Sequence, residues 1–148
     1  MNRLSELKEN RKLDNKGFSL VELIIVIAIM AVLIGVLAPQ YLKYVEKSRQ
    51  SADLDNIDAL ISAVEIYSAD PANSIVVGEL TCTGGNLTPP SGDVKNALDD
   101  AGMTTMPTMK SNAYSEWLIE FDSTGVKVTD KDGDGDSSTD LKKALGRG

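Results

Sequence analysis

The side chains able to do chemistry in this chain are nearly all carboxylates. Its 148 residues hold 22 Asp+Glu against 15 Lys+Arg and no histidine. Without histidine there is no Ser-His-Asp or Cys-His catalysis, and most zinc sites are excluded. Cys82 is the single cysteine, so no disulfide can close within the chain. It falls in a loop-like stretch and is expected to pack as a small apolar side chain. The densest carboxylate group is Asp130-Lys131-Asp132-Gly133-Asp134-Gly135-Asp136, followed by Ser138 and Asp140. Oxygen-bearing side chains at alternate positions, with Gly in the sixth place, match the first half of an EF-hand-type loop, which aims several carboxylates at one calcium ion. The second half departs from that pattern, because Leu141 holds the twelfth place and Asp140 comes one residue early. Lacking a bidentate twelfth ligand, the loop is expected to bind calcium weakly, at about 10⁻⁴–10⁻³ M, as a structural ion. The alternative is a solvated acidic turn, whose neighbouring carboxylates repel one another. No other cofactor is expected.

The other informative carboxylate is isolated. Residues 18–38 carry one charge, Glu22, and residues 23–38 (LIIVIAIMAVLIGVLA) have no polar side chain at all. Twenty-one helical residues rise roughly 31 Å, the thickness of a bilayer's hydrocarbon core. The segment is long enough to span a membrane as a helix, with every backbone group paired internally. A secretory signal peptide cut near Leu37-Ala38 is a competing reading, but this run exceeds the 7–15 apolar residues of such segments, and Pro39 follows the junction. A buried core helix is another, but the rest of the chain is too polar to enclose a helix that is apolar all round. A carboxylate within a spanning helix costs on the order of 2.5–3.5 kcal/mol at the centre, and less near an end. Glu22 therefore either has a partner or reaches headgroup water.

The charge distribution gives an orientation. Residues 1–17 hold five basic side chains against three acidic ones, a net of +2, while residues 18–148 hold 10 basic and 19 acidic, a net of −9. Basic residues stay on the cytoplasmic side, so the N-terminus is expected inside and the acidic bulk outside. The acidic balance also argues against direct nucleic-acid binding.

Lys16-Gly17-Phe18-Ser19-Leu20-Val21-Glu22, followed by a long apolar helix, resembles the processing site of type IV pilins and of the pseudopilins of type II secretion and competence systems. The likeness combines a basic leader ending in Gly, a Phe directly after it, a hydroxyl residue, two aliphatic residues and a Glu five places after the Gly; Pro39 also fits. It covers roughly residues 12–70. The resemblance implies that a prepilin peptidase cuts between Gly17 and Phe18 and that Phe18 becomes N-methylated. It also implies that Glu22 pairs with the Phe18 amine of a neighbouring subunit during assembly, driven by a cytoplasmic ATPase and an inner-membrane platform. The leader includes acidic side chains that shorter family leaders often lack. Pro39 lacks an amide donor and clashes with the preceding turn, so the helix is expected to kink or unwind there, a weak point through which a filament can bend.

Beyond Pro39, Leu54, Ile57, Leu60, Ile61, Val64 and Tyr67 recur every three or four residues, an amphipathic stripe, with Lys47, Asp53, Asp58 and Glu65 assigned to the other faces. Pro71 should end the helix near Ala69-Asp70. Residues 71–91, with Thr83-Gly84-Gly85-Asn86 and Thr88-Pro89-Pro90, read as loops. A short helix over 93–101 is expected, capped by Ser91 or Asp93 and stopped by Gly102. Strands are expected over 116–121 and 126–129, joined at 122–125, with one face covered. A short terminal helix over 139–145 precedes Gly146. The fold class is thus α+β: a long N-terminal helix, hydrophobic then amphipathic, packed on a small antiparallel sheet. The expected divisions are a leader 1–17, a membrane or filament-core half-helix 18–38, an amphipathic half 39–70 and a globular head 71–148.

This pattern predicts a non-enzymatic structural subunit of a surface filament, anchored in the membrane before assembly and partnered by itself and other pilins. A pseudopilin of a secretion or competence system stays open as a variant. The alternative of another class is a membrane-tethered calcium-binding or adhesive module that never polymerises, which leaves the Gly17-Phe18 junction and Glu22 unexplained.

Overall fold

The computed structural model describes residues 17–129 and 141–146. The elements run α1 (Leu20–Ala69), β1 (Gly78–Thr83), β2 (Asn86–Leu87), α2 (Gly92–Asp100), β3 (Trp117–Asp122) and β4 (Gly125–Thr129). The four strands form one antiparallel sheet in the order β2-β1-β3-β4. The chain divides into two units, the first ending at Leu42 and the second beginning at Lys43.

In the second unit the core has the expected logic. Alternate residues of β1 and β3 point inward, so Leu80, Cys82, Trp117, Ile119 and Phe121 are buried while their neighbours are not. The register aligns Leu80 with Ile119 and Ile119 with Val128, giving a continuous apolar surface across three strands. Ile57, Leu60, Ile61 and Val64 from α1 join it in one cluster, together with Val94, Ala97 and Leu98 of α2. A Cβ on Gly78 would stand 2.7 Å from Cγ2 of Val94, so α2 seats on β1 where the strand has no side chain.

Element ends follow local chemistry. Asp70 closes α1 and its Oδ1 accepts from the Ala72 amide at 2.9 Å, just past Pro71. Gly102, at φ +76, ends α2: its amide donates to Asp99 O at 3.0 Å and that of Met103 to Leu98 O at 2.8 Å, the paired bonds of a glycine C-cap. Residues 141–144 form a last helical turn whose Leu141 is buried, and Gly146 follows at φ +66. The remainder of the expected terminal helix, Thr139-Asp140, lies outside the described residues.

Four expectations need correcting. The stretch expected as loop around residues 78–87 is a β-hairpin whose two-residue turn, Gly84-Gly85, has both φ values positive (57° and 78°), as a type I′ turn requires. Cys82 therefore lies in a strand, fully buried, with its thiol donating to the Ser115 carbonyl at 3.3 Å. Ser91 does occupy the N-cap position of α2, but its side chain makes no capping bond. Asp53, assigned to a solvated face, is only 1% exposed. Its carboxylate accepts from the Lys110 amide at 2.9 and 3.0 Å and from the Ser111 amide at 2.7 Å. A carboxylate that leaves water must recover its hydrogen bonds, and Asp53 does so by fixing the loop between α2 and β3 onto α1.

Candidate functional site

The site lies at the start of α1. Gly17 and Phe18 precede the helix, and Phe18 is 93% exposed. Ser19 takes the N-cap position: its Oγ accepts from the Val21 amide at 3.3 Å, while Oε2 of Glu22 accepts from the Ser19 amide at 2.8 Å. Together the two bonds make a variant of the capping box, with the N-cap hydroxyl on the N2 amide in place of the N3 amide, and they satisfy two of the amides at the helix start. The carboxylate also faces the positive end of the helix dipole. Glu22 thus has a partner within its own chain, from its own first turn. The sequence signal for it is Ser19-x-x-Glu22 ahead of an apolar run.

Beyond the cap, Phe18, Glu22, Leu23 and Val26 line a shallow apolar hollow. Every residue from Gly17 to Tyr44 is exposed, among them Ile24, Ile25, Ile27, Leu33 and Leu37. The helix has the length and composition to cross a membrane. An apolar face of this extent, with no intramolecular cover among the described residues, requires either lipid or other apolar helices around it. Pro39 lies inside α1, which stays helical on both sides of it, so of the two expected outcomes, kink or unwinding, the helix does not end or unwind at that residue.

Asp130, Asp132, Asp134, Asp136 and Asp140, the residues of the expected calcium loop, lie outside the described residues. Among the described residues no three of His, Cys, Asp or Glu cluster as a metal site. Among the described residues the carboxylate whose titration is clearly displaced is Asp122, far along the chain from the helix start. The Thr124 hydroxyl and the Thr124 and Gly125 amides hold its pKa below the ordinary value, with Lys127 adding to the effect.

Comparison with known proteins bears on this region first. A family model described as the prokaryotic N-terminal methylation motif matches residues 12–38. Across the longer chain, the prepilin peptidase-dependent protein A of Clostridium perfringens is 30% identical, the alignment covering 84% of this chain and 88% of that one. The fimbrial protein EcpC of Eikenella corrodens is 31% identical over 80% of this chain and 77% of its own. The type IV major pilin protein PilA of Myxococcus xanthus is 36% identical over 38% of this chain and 26% of its own. No solved structure matches the chain. The capped apolar helix, the small antiparallel sheet and relatives that align over most of both chains lead to one conclusion: this chain belongs to the type IV pilin family.

Proposed function

We propose that the chain is a structural subunit of a type IV pilus-like filament, held in the membrane with its N-terminus cytoplasmic until it assembles. A prepilin peptidase hydrolyses the Gly17–Phe18 bond, leaving a carboxylate on Gly17 and an amine on Phe18 that is then methylated. The apolar half-helices of many copies bundle into the filament core, and Glu22 pairs with the Phe18 amine of a neighbouring subunit. An assembly ATPase and a membrane platform supply the work of extraction. The role is structural and involves no catalysis by this chain.

The observation that carries this reading is the single carboxylate at the start of a wholly exposed apolar helix, one turn after an exposed Gly-Phe junction. The capping bond occupies one of about four acceptor positions on Glu22, which leaves capacity for an incoming ammonium. In the low dielectric of a helix bundle such a pair attracts strongly, although desolvation offsets much of the gain. The names of the Myxococcus and Eikenella relatives, pilin and fimbrial protein, favour a pilus over a short pseudopilus.

Replacing Glu22 with Ala should abolish surface filaments while the protein stays in the membrane. Wild-type fibre yield from that variant would overturn the polymer reading in favour of a tethered module. Mass spectrometry of the mature protein should find an N-terminus at methylated Phe18; a chain beginning at Met1 or trimmed at Ala38 would remove the processing step.

We also propose that the loop containing Asp130, Asp132, Asp134, Asp136 and Asp140 binds a weak structural calcium ion. Its alternating oxygen ligands and central Gly support this. Calcium at millimolar concentration should raise the thermal midpoint of the head, and an unchanged midpoint would retire the proposal.

A further inference from the structure

We infer that Lys43 and Lys47, with Tyr44 between them, form a docking face for anionic phospholipid headgroups of the outer leaflet, engaged while the subunit waits in the membrane. The inference rests on the membrane stage of the function proposed above. Three properties of the helix carry it.

The first is position. Residues 18–42 contain no Lys or Arg, so after cleavage at Gly17 the leader's five basic side chains are gone and Lys43 is the first basic side chain of the mature chain. Measured as helix rise, Lys43 stands about 7.5 Å beyond Ala38, within the headgroup layer that flanks the hydrocarbon. Lys47 is one turn further, and a helical side chain leans toward the helix N-terminus, so its stem reaches back toward the bilayer.

The second is the lack of intramolecular neutralisation. Both lysines are exposed, and among the described residues neither makes an ion pair, whereas Arg49 on the same turn pairs with Glu46 at 3.9 Å. Two like charges four residues apart repel along a helix face, so the arrangement asks for an anion.

The third is Tyr44, 69% exposed, placed on the helix between the two lysines. An aromatic ring with a polar tip suits the boundary between acyl chains and headgroups. The acidic remainder of the chain disfavours an anionic surface, so the attraction is confined to this one band.

The test uses the full-length, isotopically labelled chain in zwitterionic phosphocholine micelles titrated with short-chain phosphatidylglycerol. Amide shifts at Lys43, Tyr44 and Lys47 should move and saturate with the lipid. The K43Q/K47Q double variant should weaken that response about thirty-fold, and either single variant about five-fold, from the effect of roughly 1 kcal/mol per basic residue at an anionic surface. The R49Q control should stay within about two-fold, because Arg49 already has a partner. An undiminished response in the double variant, or none in the wild type, would overturn the assignment. Shifts that track protein-to-detergent ratio and ignore the lipid would overturn it in favour of a second copy on this face. In the same samples a nitroxide on the acyl chains should broaden the signals of residues 23–37. Broadening without a lipid response sinks only the headgroup assignment, whereas no broadening takes the membrane stage down with it.

Discussion

Residues 20–42 and 53–64 belong to one continuous helix, yet their side chains meet opposite surroundings. In the first stretch Leu33, Ile34 and Leu37 are each more than half exposed; in the second, Ile57, Leu60 and Ile61 are 0 or 1% exposed. Residue type does not separate the two, since both are rich in Leu and Ile. Pattern does. The first stretch is apolar on every side and cannot be satisfied by one sheet, and the second confines its apolar residues to one stripe that a sheet can cover. The contrast teaches that only the second stretch contributes to the stability of the head, while the first stores its burial for lipid or for other copies of the chain.

The largest expected effect breaks or sharpens that contrast directly. Leu60→Ala should destabilise the head by about 2–5 kcal/mol, the usual cost of truncating a fully buried leucine. Leu33→Ala, the same chemical change on the exposed stretch, should fall within about 0.5 kcal/mol. Equilibrium unfolding of the full-length chain in micelles, read from Trp117 fluorescence, measures both. A comparable loss at the two positions would mean that the stretches are not energetically separate.

Asp53 comes next. It is the one charged residue among the buried positions of the second stretch, so it tests whether that stretch is an apolar stripe or a stripe with a polar latch. Removing the carboxylate in Asp53→Ala leaves the Lys110 and Ser111 amides without their acceptor, at a cost of about 1–3 kcal/mol. Asp53→Asn keeps one carbonyl oxygen and should lose less. Hydrogen exchange at the Ser111 amide should rise in the Ala variant before other amides of the head do. Unaltered protection there would show that the loop is held by other contacts.

The outcome at Asp53 also marks the limit of what the amino-acid order discloses. Its helical phase places it in line with Ile57, Leu60 and Val64, but a carboxylate at the start of an apolar stripe reads as the solvated end of that stripe. Only the loop arriving from residues 110–111, more than fifty positions away, makes burial affordable. β3 and β4 were legible because Trp117, Ile119 and Phe121 alternate cleanly. β1 and β2 were not, because their Gly, Thr and Asn composition resembles loop and β2 has two residues. The Gly84-Gly85 pair between them was the missed sign of a tight hairpin. At the helix start, Ser19-x-x-Glu22 ahead of an apolar run is the pattern that carries the cap.

An effect no larger than that at Asp53 is expected at the hairpin between β1 and β2. Gly85 has φ +78, and an added Cβ would stand 2.7 Å from the Met109 carbonyl oxygen. Its own carbonyl accepts from the Met109 amide at 2.8 Å, so the backbones cannot separate without losing that bond. Gly85→Ala should cost about 1–3 kcal/mol, in the range for a non-Gly residue held in a sparsely populated conformation. Gly84→Ala, with φ +57 and open space around the new Cβ, should cost less. Thermal midpoints in that order support a head whose loop is clamped from the hairpin as well as from α1, and the reverse order would remove the close approach at Gly85 as a constraint.

The smallest effect is a pH dependence in the head. Asp122 ends β3, and its Oδ1 accepts from the Thr124 amide at 2.6 Å, from the Gly125 amide at 3.1 Å and from the Thr124 hydroxyl. These donors favour the ionised form, so the folded-state pKa lies below the unfolded one. A depressed pKa means that the unfolded chain binds the proton first, and the group's contribution to stability is therefore complete above the ordinary carboxylate range. It fades as pH falls toward and through the folded pKa. Asp122→Asn should lower the thermal midpoint slightly at pH 7, and the difference from wild type should shrink as pH falls through the folded pKa, where the Asp122 carboxylate takes up its proton. The side chain is fully exposed, so screening keeps the effect small and added salt should reduce the Lys127 part of it further. A gap between the two proteins that does not narrow with falling pH would assign the turn's preference for Asp to side-chain geometry, with the charge playing no part.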